Sequence, residues 1–167
     1  MALNMPFRLR LSGLLAAALA AASCSGSPPD TAGPTADGGL APCPETPNCV
    51  HTGDRHPEGT DPFRLSPEAL QHDDDELLDL LAEELVSLPR TSIREREGHW
   101  IHAEARSRVF RFVDDVEILL PADFRQDEHP EVVVRSASRL GQSDLGVNAD
   151  RVASLRRSLE DRGLLIP

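Results

Sequence analysis

The residues of this chain that can do chemistry gather in its second half. His102, Glu104, Asp114 and Asp115 fall on two neighbouring runs of alternating pattern, and Arg135 and Ser138 on a third. An imidazole, carboxylates, a guanidinium and a hydroxyl are the groups a hydrolase draws on, and His102 with Asp114 or Asp115 has the donors of a metal pair. Against this, Ser136 and Ser138 stand in the run RSASR and not in a nucleophile elbow. Charges on a sheet face more commonly pair across strands, here Glu104 or Glu117 with Arg106 or Arg135. No catalytic residue is assigned on these grounds. An enzyme centred on the charged sheet face remains the alternative to a binding or assembly module.

A second constellation follows the last of these runs: Arg135, Arg139, Gly141, Ser143, Asp144, Gly146 and Asn148. Gly141 and Gly146 bracket a tight connection, and Ser143 and Asp144 can accept hydrogen bonds from exposed backbone N–H groups. The functional reading places arginine and amide donors around an anion near a helix N-terminus. The structural reading is a loop that sets the direction of the next helix, and it is preferred because turns use Gly, Ser and Asp for the same local bonds. No Walker or dinucleotide spacing is present, and no cofactor is implied.

Cys43 and Cys49 flank two prolines and an asparagine in CPETPNC, turn formers that bring chain ends together, which points to a disulfide. The competing reading is a metal site of Cys43, Cys49, His51 and His56, whose irregular spacing lacks paired knuckles; no metal is assigned.

The elements that must hold these groups can be read in order. Ser66-Pro67-Glu68 opens a helical stretch, and Asp73 with Glu76 makes a stronger, capping-box-like start at the head of Leu77, Leu81, Leu85 and Leu88. Pro89 ends that helix. Period-two runs then predict strands over 91–97, 99–107, 113–120 and 131–137, with Gly98 as a turn and 122–130 as a polar, mobile connection. Ile101, Ala103 and Ala105 point one way while Trp100, His102, Glu104 and Arg106 point the other, which predicts one greasy face and one charged, solvated face. Asn148 is read as the cap of a final helix with Val152, Leu155 and Leu159 as its stripe and Gly163 at its end. The expected fold is α+β: an antiparallel four-stranded sheet with helices packed on one face.

The N-terminus supplies an address. Arg8 and Arg10, the apolar run 11–22 and Ala21-Ala22-Ser23-Cys24 read as a bacterial lipoprotein signal over residues 1–23, with Cys24 lipidated. Plain secretion, with cleavage after Ala22, is the alternative. Lipidation is preferred because it leaves Cys43 and Cys49 as an even pair in an oxidising compartment. The apolar run is too short to span a bilayer, which takes about 20 residues. Residues 24–40, poor in anything to bury, read as a flexible tether with an r.m.s. reach of roughly 20 to 25 Å, and 41–167 as a single α+β domain. Ser25 after the lipidated cysteine favours the outer membrane, facing the periplasm. The net charge of −11 is unevenly spread, +2 over residues 1–23, −12 over 24–89 and −1 over 90–167. That balance argues against nucleic acid as a partner, since phosphate binding needs a basic stripe. It also leaves acyl chains as the membrane anchor, with an envelope protein as the further expected partner. All 17 basic residues are arginine and tyrosine is absent, which a G- and C-rich genome explains without any function.

Taken together, RSASRLGQSDLGVN from Arg135, the preceding SRVFRFVDDVEI and the earlier CPETPNCV resemble the domain of unknown function 1499 family, from Leu40 to about Glu160. The chain departs from the usual pattern at His99-Trp100, where Trp100 keeps an aromatic before Ile-His-Ala-Glu. The resemblance implies export or lipid anchoring and these domain boundaries, and it implies no activity.

Overall fold

A computed structural model of the chain describes residues 32–53 and 61–167. Cys24, His56 and the signal segment lie outside them. The described chain is α+β with an antiparallel sheet, in the order β1 (Cys49–His51), β2 (Phe63–Arg64), α1 (Asp74–Ser87), β3 (Thr91–Glu97), β4 (Trp100–Arg106), β5 (Val113–Leu119), β6 (Glu131–Ser138) and α2 (Val147–Asp161). β3 to β6 form a meander, and β1 and β2 both pair with β6. The sheet therefore has six strands and not the expected four. β1 and β2 are three and two residues long, too short to show a period in the sequence, and they cover the edge that β6 would otherwise expose.

α1 begins where the capping pattern places it: the Asp73 side chain accepts from Glu76 N at 2.8 Å, and Asp74, Asp75 and Glu76 sit in the positive first turn. The stretch opened by Ser66 makes only a short 3-10 turn, Ala69–Gln71. One apolar cluster joins Leu77, Leu81 and Leu85 of α1 and Leu155 and Leu159 of α2 to Ile101, Ala103, Val116, Ile118 and Val134 of the sheet. Burying a side chain of this size contributes about 1.5 to 3 kcal/mol, so this layer holds the sheet's first face to the helices. The connection 122–130, expected to be mobile, is pinned instead: Phe124 is buried, and Arg125 donates to Asp74 Oδ1 at 2.6 Å and to the His72 carbonyl at 2.7 Å.

Residues 32–40, within the stretch read as tether, pack on the domain. Pro34 and Leu40 form a β-bridge, Thr35 N donates to the Gly39 carbonyl at 2.9 Å, and Leu40 is buried against Trp100 and Leu119. Cys43 and Cys49 are joined in a disulfide with their Cα atoms 5.6 Å apart, which removes the thiolates that a metal site at this pair requires. No helix among the described residues is long and apolar enough to cross a membrane.

Candidate functional site

The register of β4, β5 and β6 stacks the second sheet face in rows. Trp100 lies beside Leu119 and then Val133, His102 beside Glu117 and then Arg135, and Glu104 beside Asp115 and then Ala137. Glu104 and Asp115 are thus like charges directly opposite each other, an arrangement that destabilises a sheet unless a cation is supplied. Arg139, just past the end of β6, supplies it. Its Nε donates to Asp115 Oδ2 at 2.8 Å, and its Nη2 donates to Asp115 Oδ1 at 2.7 Å and to Glu104 Oε1 at 2.8 Å. His102 Nε2 lies 2.7 Å from Asp115 Oδ1. Arg106 donates to Glu104 Oε2 at 2.8 Å, with Arg94 Nε 3.6 Å from the same oxygen. In the next row Glu117 accepts from Arg135 Nη1 at 2.9 Å, from Trp100 Nε1 at 3.2 Å and from the backbone N–H of Gly33 at 2.8 Å. The Trp100 and His102 rings stack with centroids 5.8 Å apart.

This face was expected to be solvated, and it is buried. Glu117 is 0 % and Asp115 1 % exposed, and His102, Glu104 and Arg135 are buried with them. Part of the cover is the turn at 33–40, tied down by Leu40 on Trp100 and Leu119 and by the Gly33 N–H on Glu117. Charges leave water at a cost of several kcal/mol each, recovered only where partners and hydrogen bonds are close to ideal. Burial acts to raise the Asp115 carboxyl, but the hydrogen bonds from Arg139 and His102, and the Arg139 charge, outweigh it and hold it below the usual aspartate range. Glu104 is likewise held low, burial being outweighed by the hydrogen bond and charge of Arg139 and by Arg94 and Arg106. The Arg139 guanidinium is shifted upward, chiefly by its hydrogen bonds to Asp115, so its proton is firmly kept.

Asp114, adjacent to Asp115 in sequence, points to the opposite face, as successive strand residues must. There it accepts from Ser138 Oγ at 2.6 Å and Arg151 Nη2 at 2.7 Å. Beside it Asn148 is buried: its Oδ1 accepts from Ser136 Oγ at 2.6 Å, and its Nδ2 donates to the Asn48 carbonyl and to Ser138 Oγ, each at 3.0 Å. Asn48 Nδ2 in turn donates to the Gly141 carbonyl at 2.7 Å. This second cluster clasps the disulfide loop, the end of β6 and the start of α2. Asn148 is therefore not the helix cap read from the sequence. Gly146, at φ 84°, occupies that position, and the capping acceptor is Asp144, whose Oδ2 accepts from Asn148 N at 2.6 Å and whose Oδ1 accepts from Gly146 N at 3.1 Å. Gly141 also has a positive φ, 87°, and Ser143 Oγ accepts from Leu145 N at 3.4 Å. Asp144→Ala is expected to cost about 0.5 to 2 kcal/mol, as for other lost caps, read as a lower urea midpoint with an unchanged slope.

The structure thus divides the sequence candidates differently from their order in the chain. His102, Glu104, Asp115, Arg135 and Arg139 belong to the buried ionic face. Asp114, Gly141, Ser143, Asp144, Gly146 and Asn148 belong to the clasp and its loop. Sequence reading left out Trp100, Arg151 and Asn48 as polar partners; Trp100 alone carried a signal, standing on the same alternating face as His102 and Glu104. Among the described residues no group of three or more His, Cys, Asp or Glu is placed to hold a metal ion. Two surface depressions, one near His72, His99 and Arg125 and one near Arg64, Arg156 and Pro167, are lined by no residue of either cluster.

Comparison with known proteins gives one match. The family model described as "Protein of unknown function (DUF1499)" matches residues 39–159. No curated protein and no solved structure matches.

Proposed function

Starting from a chain that belongs to the DUF1499 family of proteins of unknown function, we propose an exported, lipid-anchored cell-envelope protein, held through Cys24 at the outer membrane facing the periplasm, whose domain is a binding or assembly module. The observation that carries the module reading is that the titratable groups able to do catalysis are engaged with one another: His102 on Asp115, Asp115 and Glu104 on Arg139, Glu117 on Arg135. A general base must be within reach of a substrate proton, and these carboxylates are buried behind their own arginines. The alternative is a periplasmic enzyme on the same face, and one observation favours it: Arg135 Nε is buried with no hydrogen-bond partner, a donor that a ligand oxygen would satisfy.

The anchor is tested by growing cells with a clickable fatty acid. The wild-type chain is expected to be labelled and membrane-bound, and Cys24→Ser to be unlabelled; an unlabelled, soluble wild type would end the anchor reading. Crosslinking in intact cells, followed by identification of what is attached, tests the module. A specific envelope protein supports it, whereas turnover of a small molecule by the purified chain, abolished in Arg135→Gln with the fold retained, transfers the assignment to the enzyme.

A further inference from the structure

The β4–β5 turn and the loop before α2 lie at the same end of the sheet, because Arg139 N donates to the Val113 carbonyl at 3.2 Å. Both hold apolar side chains out of the fold: Val109 is 75 %, Phe110 71 % and Leu145 94 % exposed, with Phe112, Leu140 and Val147 also exposed. These positions are fixed by the backbone. Ser107 N donates to the Phe112 carbonyl and Phe112 N to Ser107 Oγ, each at 2.9 Å, so the turn is closed. The Phe110 and Phe112 rings stack with centroids 5.6 Å apart. Arg111 and Leu145 are held in the left-handed region, at φ 55° and 58°, which non-glycine residues seldom adopt. Exposed apolar side chains gathered at one end of a domain mark an interaction site.

Charge selects the occupant. In a chain of net charge −11, the turn 107–112, SRVFRF, carries two arginines and no acid, Arg106 before it being held by Glu104 and Asp144 of the neighbouring loop being spent on the backbone N–H groups of Gly146 and Asn148. Arg108 and Arg111 have no ion-pair or hydrogen-bond partner among the described residues. Aromatic side chains projecting from a tip and flanked by unpaired arginines suit the boundary between anionic headgroups and acyl chains. Net repulsion of the whole acidic chain from such a surface does not prevent this, because charges more than about 8 to 10 Å away are screened. We propose that this end of the domain, the 107–112 turn with the 140–147 loop, is a membrane-contact tip that inserts Phe110 and its apolar neighbours into an anionic phospholipid surface. The tip stands on the domain's own surface and does not need Cys24. The two contacts are compatible: Gly33 lies at the Trp100 end of β4, roughly 20 Å from the tip at strand rise, and the chain from Cys24 to Gly33 extends to at most about 30 Å.

The test uses the full chain reconstituted with vesicles carrying brominated acyl chains, made of phosphatidylcholine alone or mixed with phosphatidylglycerol. Trp100, the single native tryptophan, is buried at the far end and gives the background. Tryptophan introduced as Phe110→Trp is expected to be quenched in the phosphatidylglycerol vesicles and little in phosphatidylcholine. His129→Trp, on the opposite end of the sheet, is expected to stay unquenched. Arg108→Gln and Arg111→Asn, the latter keeping a residue tolerant of the left-handed turn, should each weaken the inserted state about fivefold. Absence of quenching at position 110, equal quenching in both lipids, or equal quenching at 110 and 129 overturns the proposal, as does a photocrosslinker at 110 that captures a protein and no lipid in cells. Loss of fatty-acid label with tip quenching intact would sink the anchor and leave the tip standing.

Discussion

Replacing Asp115 with alanine is expected to lower the unfolding free energy by about 3 to 5 kcal/mol and the melting temperature by roughly 10 to 20 °C. The carboxylate is 1 % exposed and is the point on which Arg139 and His102 converge. Without it the Arg139 guanidinium, 4 % exposed, loses two of its charge-assisted hydrogen bonds and leans on Glu104, which is shared with Arg106 and Arg94. A buried charge that loses its partner costs more than the pair was worth when intact. Arg139→Ala should be comparably damaging for the reciprocal reason, since it leaves Glu104 and Asp115 opposed across β4 and β5 with no cation between them. The double change Asp115→Leu with Arg139→Met removes both charges at similar volume, and should recover much of the loss. That pattern separates scaffold from site. If the network serves the fold, complementation of a deletion strain returns with the melting temperature in the double variant. A double variant that is stable and inactive would defeat the scaffold reading and favour a ligand on this face.

The parts of the fold that the sequence made legible are those with long, regular patterns. The leucine stripe from Leu77 to Leu88 behind the Asp73–Glu76 cap, and the alternation through 91–97, 99–107, 113–120 and 131–137, reappear as α1 and β3 to β6. β1 and β2 were out of reach because a strand of two or three residues has no period; it exists only because β6 presents a free edge beside it. The larger misreading concerned the second sheet face. Alternation tells which residues share a face, but charge on a face does not by itself mean water. The rows show why: Trp100, Leu119 and Val133 form an apolar row on the same face as His102, Glu117 and Arg135, and the apolar row gives Leu40 something to cover. An aromatic and two aliphatic side chains on a charged face are the local sign of a lid. The composition of residues 32–40 concealed that lid, because two of its holds are a backbone N–H on Glu117 and a short β-bridge, neither of which any side chain announces. The clasp was half legible for a related reason. Gly141, Ser143, Asp144 and Gly146 identify a turn by type, whereas the burial of Asn148 depends on Asn48, which lies a hundred residues away.

Acid should dismantle the domain through the same buried carboxylates. Asp115 and Glu104 are both held below their ordinary values, because hydrogen bonds and charge from Arg139, with His102 at Asp115 and Arg94 and Arg106 at Glu104, outweigh the burial that would raise them. In the folded chain these groups therefore stay ionised at a pH where the unfolded chain has begun to bind protons. Stability falls as the pH is lowered wherever the unfolded state holds more protons. Their contribution is complete above about pH 4, the ordinary carboxyl range, and is lost as pH falls through the lower folded-state values. Protonation then leaves Arg139 buried beside neutral acids, the state that Asp115→Ala creates by substitution. Urea midpoints taken from about pH 7 down to about pH 2 should hold steady at first and then collapse. Asp115→Asn, less stable at neutral pH, should show a shallower decline because its largest acid-labile pair is already gone. The expected signature is convergence of the two curves at low pH. Parallel curves would mean that the acid sensitivity resides elsewhere, and would remove Asp115 and Arg139 from the centre of the folding energetics.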